Sequence, residues 1–396
     1  MASVAAPPAL NFTPVNCARD IRIDLLRGYF FAIMTIAHMP EHPLSGAVRQ
    51  TVGLVSVAEG FVFVSGLMFG MVYGRTLLRN GVAALRRRAL KRAQDIYLNH
   101  AAVYTLVVFS AAYAGLDHRF AANFWGMWGR GLLMIYQPGL FFLLPMYFLF
   151  VLLGPLALEQ MLKGRTLLVW LASLAIWMAA QFGVGRPPLL PSWVHPGPFN
   201  ALGFQILFVA GMYFGYRRAT GRTAVPSSRF LLVASALIAA GFFVARHEAW
   251  LIGTSHILPL DATTIWKYNC HPLRLLNFAA VAYLIWSLPQ ALDHRMSRVT
   301  LCRGLAFIGK HSLPVFAWSV VITYGAMTLQ HRWQLLPGAL QVLLAVAAAS
   351  SLVIPAWLHQ QYQIWDRGVR NSGDSRRASE VMSSGSSLAT EQIGAQ

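Results

Sequence analysis

Apolar residues in this chain come in long runs broken by short polar stretches, without the three-to-four-residue rhythm of a helix that keeps one wet face. Ten runs stand out: 23–39, 53–74, 96–116, 139–158, 166–183, 200–216, 230–245, 272–290, 312–329 and 337–358. Most approach the ~20 residues that carry a helix across a bilayer. The first is the weakest, because its unbroken apolar core extends only from Gly28 to Ala37; taken alone it would suit a re-entrant segment. The pattern predicts an all-α polytopic membrane protein of about ten transmembrane helices. No internal repeat relates its halves, which counts against a transporter built from inverted repeats.

Charge supplies the orientation. If all ten runs span and the N-terminus is cytoplasmic, the inner loops and tails hold 23 of the 32 Lys and Arg and the outer loops eight, with Arg27 inside the first run. That is the positive-inside bias, and it predicts that both termini are cytoplasmic. It also explains a net charge of +18 without a nucleic-acid partner, since the basic residues are scattered over five inner loops and tails. Only 12% of the residues are charged, too few for a soluble domain of 396 residues. Residues 1–19 read as a cytoplasmic segment with no cleavable signal, for 1–16 carry no positive charge and no apolar run before a cleavage site. Residues 20–365 read as one integral membrane domain, and 366–396, rich in Ser, Gly and charge, as a disordered cytoplasmic tail. Cys17 and Cys302 fall on the inner side and Cys270 on the outer, so Cys270 has no bridging partner.

Two regions are furnished for contact with lipid. Residues 75–95 set seven Lys and Arg among Leu, Ala and Val, and predict an amphipathic segment on the inner leaflet. Such a segment anchors to headgroups or grips a phosphorylated ligand. The outer loops carry Trp125, Trp128, Tyr136, Trp193, Trp250 and Trp266, with His195, His256 and Asp261 among them. Rings at that depth form an interfacial belt, or line a wet cleft that stacks on sugars.

Candidate chemistry begins in the first run. Arg27 and His38 lie eleven residues apart, which returns both to nearly one helix face about 16.5 Å apart along the axis. Asp24 falls within about 60° of that stripe. An acid, a guanidinium and an imidazole on one face of a membrane segment are costly, and point to a functional site. His38, followed by Met39-Pro40-Glu41, suits a general base because imidazole titrates near neutrality. Read separately, it could equally be an interfacial histidine bonded to a loop, and Arg27 a snorkelling cation. Glu59 sits well inside the second run and needs a partner or a proton; at comparable depth the nearest candidate is His38. Ser65-Gly66 and Gly70 supply small residues for close helix packing. Asn200, Gln205, Lys267, Arg274 and His311 flank the ends of later runs, where each read alone is more often structural. No Walker loop, dinucleotide fingerprint, His-Glu-x-x-His or Cys-x-x-Cys is present, so neither a metal site nor a tightly bound cofactor is expected.

These residues resemble a known family. Arg19 to Gly28 with His38, Ala58-Glu59-Gly60-Phe61-Val62-Phe63-Val64-Ser65-Gly66 and Tyr73-Gly74-Arg75 are similar to the OpgC family, whose best-known members succinylate osmoregulated periplasmic glucans. Tyr136-Gln137-Pro138-Gly139, Phe199 to Phe208, Pro272 to Phe278 and His311-Ser312-Leu313 extend the likeness over about 19–365. Arg27 and His38 also match the spacing of the wider family of membrane sugar O-acyltransferases, where the corresponding residues are implicated in activity. Gln137 and Phe204 depart from the pattern, which has a smaller residue before Pro138 and Trp before Gln205; both bear on substrate choice. The resemblance implies transfer of an acyl group, succinyl above all, from acyl-CoA as co-substrate to a periplasmic glucan or other exported polysaccharide, in the bacterial inner membrane. His38 and Glu59 would then be catalytic. Asp24, Arg27, Asn200, Gln205, Lys267, Arg274 and His311 would bind donor or acceptor. The rival readings are a transporter or flippase for a polyprenyl-linked sugar or anion, with the same charges as its path, and a non-catalytic scaffold.

Overall fold

A computed structural model describes residues 20–367, apart from 41, 46–47, 49–51, 114–122, 138, 187–188, 192, 196, 223–224, 252–266, 289–294 and 297. Residues 1–19 with Cys17, Glu41, Pro138, His256, Asp261, Trp266 and the tail beyond Arg367 lie outside the described residues, as does the side chain of Trp250.

Among the described residues the ordered elements are helices, and the only β-pairings are isolated bridges, Val52–Val55 and Tyr136–His195. We number the helices α1 (Ile21–His38), α2 (Val57–Tyr113), α3 (Phe124–Leu132), α4 (Leu143–Leu162), α5 (Thr166–Gln181), α6 (Ala201–Ala219), α7 (Arg229–Leu251), α8 (Pro272–Trp286), α9 (Thr300–Lys310), α10 (Ser312–Thr328), α11 (Gln330–Gln334) and α12 (Gly338–Ser350). Every apolar run holds a helix. Among the described residues, four helical stretches are long and apolar enough to cross a membrane: Val57–Tyr113, Gly139–Leu162, Arg229–His247 and Gly338–Arg367. The pair α9–α10, bent by 97°, makes a fifth if counted as one span. α5 and α8 are apolar but shorter, and α1 carries Arg22, Asp24 and Arg27 within its 18 residues.

α2 is the largest element, and Gly81 divides it. A straight helix of 57 residues would be about 85 Å long, nearly three times the ~30 Å hydrocarbon core. Gly81 leaves the helical region at φ 77°, a conformation open to glycine. The chain then folds back: Arg88 donates to the Thr76 hydroxyl at 2.8 Å and stands over the Tyr73 ring. The basic stretch 75–95 is therefore helical on both sides of the break at Gly81, with Leu85, Ala89 and Ala93 buried on one stripe of the second part. Arg86 makes a two-pronged ion pair with Glu159 of α4, at 2.7 and 2.8 Å.

Small residues set the central packing. α2 meets α6 through Gly66 and Gly70 on one side and Gly211 and Gly215 on the other. A Cβ on any of these glycines would collide with a carbonyl of the facing helix. This is close backbone approach through paired Gly-x-x-x-Gly spacings, the packing that membrane helices use where burial from water cannot drive association. α1 crosses α9 the same way, with Gly28 against Leu305 and Gly309 against Asp24. α1 opens on Asp20, whose carboxylate caps the backbone N–H of Arg22 at 3.1 Å and accepts from Arg218 of α6 at 2.9 Å. Burial alone would push this carboxyl up, but the bonds from Arg22 and Arg218 outweigh it and hold it below the ordinary value.

Candidate active site

α1 lays Arg27, Phe31, Met34 and His38 along one stripe. His38 lines a cavity of about 510 Å³, together with Ser56, Phe61, Leu143, Phe199 and Lys267. Arg27 lines a second cavity of about 590 Å³, with Arg92, Asp95, Lys310, His311 and His359. A small void of about 40 Å³ lies between. It shares Phe61 and Leu143 with the His38 cavity, and Arg27, Arg92, Ser312 and Leu313 with the other. The three therefore follow one another along α1, narrowest where Phe61 and Phe316 pack edge-on against the buried Phe31 ring.

The tautomer of His38 follows from its bonding. Nδ1 lies 2.7 Å from the Met34 carbonyl one turn back. A carbonyl only accepts, so Nδ1 carries the hydrogen, and in the neutral ring Nε2 is the basic nitrogen. Lys267 reaches the same cavity with its ammonium 5.4 Å from the centre of the Phe199 ring. Residues 268–270, next to Lys267, are well pinned. The Asn200 backbone N–H donates to Tyr268 O, Gln181 donates to Asn269 O, and Trp177 donates to Cys270 O. Cys270 is buried and, like Cys302, unbridged; burial pushes its thiol up, which leaves it unreactive.

In the second cavity Arg27 donates to the Ser312 hydroxyl. His311 and His359 share a hydrogen bond between their Nδ1 atoms, 2.9 Å apart. Two arginines, a lysine and two imidazoles around one acid, Asp95, make this cavity strongly electropositive, and guanidinium groups suit phosphate or carboxylate oxygens.

Several expected site residues stand elsewhere. Glu59 does not pair with His38. Its carboxylate accepts from Arg274 Nε at 2.9 Å and from Nη2, and from the backbone N–H and hydroxyl of Ser56. Glu59 and Arg274 are wholly buried and neither lines the cavities. Two charges so deep must satisfy one another, and Arg274 outcompetes an imidazole as that partner. Glu59 reaches the cavity only through Ser56, which makes it a positioning residue. Asn200 caps α6, with Oδ1 accepting from Leu202 N at 3.0 Å and Nδ2 donating to Val184 O at 2.7 Å. Gln205 spends both ends of its amide on Ser173 of α5. These two amides are committed to packing rather than to a ligand. Asp24 is buried under α9 and lines none of the three cavities. Of the outer aromatics, Trp125 and Trp193 face outward, as a membrane belt requires.

Conversely, the fold supplies groups that were not singled out as site residues. Ser56 stands between Glu59 and the His38 cavity. In the sequence Arg92 is one of seven basic residues in 75–95, and Lys310 and Ser312 are neighbours of His311. His359 carries its own signal, an imidazole just past the last apolar run. No group of three or more His, Cys, Asp or Glu placed to hold a metal occurs among the described residues.

Comparison with known proteins places this architecture. No curated protein and no solved structure matches significantly. A family model described as OpgC protein matches residues 19–364. The chain belongs to the OpgC family.

Proposed function

We propose that this protein is a membrane O-acyltransferase that moves succinyl from succinyl-CoA to a hydroxyl of a periplasmic glucan. The observation that supports it is the string of cavities along α1, with cations at one end and an oriented imidazole at the other. The reading adopts ten spans with both termini cytoplasmic, in a bacterial inner membrane, so that Arg27 faces the donor side and His38 the acceptor side.

The donor's phosphates sit in the Arg27 cavity, held by Arg27, Arg92 and Lys310. The pantetheine arm threads the neck beside Phe61, and the thioester reaches the His38 cavity. His38 Nε2 accepts the proton of the glucan hydroxyl as its oxygen bonds to the thioester carbonyl carbon. The carbon–sulfur bond breaks, and the CoA thiolate leaves and takes up the proton that His38 holds. The products are the glucan ester and CoA–SH. Met34 keeps Nε2 the basic nitrogen throughout. Lys267 binds the distal carboxylate of the succinyl group, so it selects a dicarboxylic donor over a neutral one.

A transporter would use the same charges as a path, and CoA release separates the two. Mass spectrometry of periplasmic glucans from cells with wild-type protein should show succinyl esters, and cells with His38→Ala at equal protein level should show none. Undiminished esters in that variant would refute the assignment.

A further inference from the structure

His311, at the junction of α9 and α10, and His359, on the helical stretch Gly338–Arg367, meet in the Arg27 cavity. Their rings stand at 85° to one another, with the two Nδ1 atoms 2.9 Å apart. One of these nitrogens must carry a hydrogen and the other a lone pair. Gln363, one turn beyond His359, indicates which. Its amide Nε2 lies 3.4 Å from His359 Nε2, and an amide nitrogen only donates. His359 Nε2 therefore accepts, its ring hydrogen sits on Nδ1, and His359 donates to His311.

Such a pair can hold one more proton without breaking. A proton on His359 Nε2 makes an imidazolium whose Nδ1–H still donates to His311, now as a charge-assisted bond. Turning the Gln363 amide over brings its oxygen to the new N–H. A second proton, on His311 Nδ1, would set two N–H groups against each other. The surrounding charges decide whether the first is held. Arg27 faces the cavity from α1, Arg92 and Asp95 from α2, and Lys310 from α9, while α10 brings Ser312, Leu313 and Pro314. Asp366 and Arg367, of opposite sign, follow two turns beyond His359. Three cations against one acid oppose a further positive charge in the cavity. An anion bound among them reverses that balance, since an opposite charge within about 4–6 Å favours the charged imidazole.

We propose that the His311–His359 pair is a proton site coupled to the donor: it takes up one proton as the diphosphate of the acyl-CoA binds, and returns it as CoA leaves. The proposal rests on the reading of the Arg27 cavity as the donor site. A proton gained on binding makes affinity rise as pH falls, by up to about tenfold per pH unit for one proton. A pair that only clamped two helices together would move no proton.

The test is isothermal titration calorimetry of full-length protein in phospholipid nanodiscs, near neutral pH, in buffers of different ionisation enthalpy. The probe is 3′-dephospho-CoA, none of whose groups titrates in that range. The slope of observed heat against buffer ionisation enthalpy counts the protons exchanged. Wild type should take up about half a proton or more per molecule bound, and its Kd should fall as pH is lowered from mildly alkaline to mildly acid. His359→Phe should at least halve the uptake, and His311→Phe with His359→Phe should abolish it. Binding by wild type with no proton uptake and a Kd flat across that range would overturn the proposal and leave the donor-site reading standing. Full uptake in the double variant would place the proton elsewhere, on Asp95 or His38, and would also overturn it. Absence of any binding by wild type would overturn both.

Discussion

Arg27 and Arg274 are both arginines on apolar helices, and their surroundings differ. Arg274 is wholly buried, and its partner is the equally buried Glu59. Neither touches a cavity. Arg27 meets a neutral hydroxyl on Ser312 and lines two cavities that also hold Arg92. One cluster is sealed away from the cavities; the other borders two of them. A charge inside a membrane is expensive in both settings, so its presence alone does not mark a site. What marks it is space beside the charge, together with other groups of the same sign facing that space.

The contrast predicts different kinds of damage. In the closed cluster, Glu59→Gln strands a buried guanidinium and should cost about 3–5 kcal/mol of stability. The double change Glu59→Gln with Arg274→Met should recover much of it, as chemical unfolding in detergent would show; single variants as stable as wild type would refute the closed-pair account. In the open string, His38→Ala should lower CoA release by about 10²–10⁴-fold with an unchanged unfolding midpoint. Lys267→Met should shift preference from succinyl-CoA toward butyryl-CoA by about 10–100-fold, the worth of a charge-assisted hydrogen bond, as competition between the two donors would measure. Arg27→Lys loses the planar fork but keeps the charge, so KM for the donor should rise roughly tenfold while kcat moves less. The smallest effect belongs to the cap of α1. Asp20→Ala should cost about 1 kcal/mol. Because Asp20 is held below its ordinary value of 3.8, its contribution is fully present above that pH. It fades as pH falls through the lowered value, so wild type and Asp20→Ala should converge in strong acid.

Much of the helical scaffold was legible from the sequence, because long apolar runs and small-residue spacings are local signals. Each of the ten runs holds a helix, though only four or five helical stretches are long and apolar enough to span, and Gly66 and Gly70 pack as their size implies. Four things were not legible. The fold-back at Gly81 depends on one residue's backbone conformation inside a stretch that otherwise favours helix. Glu59 pairs with Arg274, 215 positions away, while sequence order offers only its neighbour on the preceding helix. Asn200 and Gln205 look like ligand groups until the backbone and side-chain atoms that consume them, at Val184 and Ser173, come into contact. The Arg27 cavity gathers α1, α2, α9, α10 and the C-terminal part of the helical stretch Gly338–Arg367, a convergence that no single segment announces.

The central claim is that donor and acceptor meet through the protein from opposite faces. The direct test is a proteoliposome with glucan trapped inside and succinyl-CoA added outside. The account predicts succinylated glucan in the lumen and an equal amount of CoA released outside, both lost in His38→Ala. Acylation only when donor and acceptor share one compartment would contradict it.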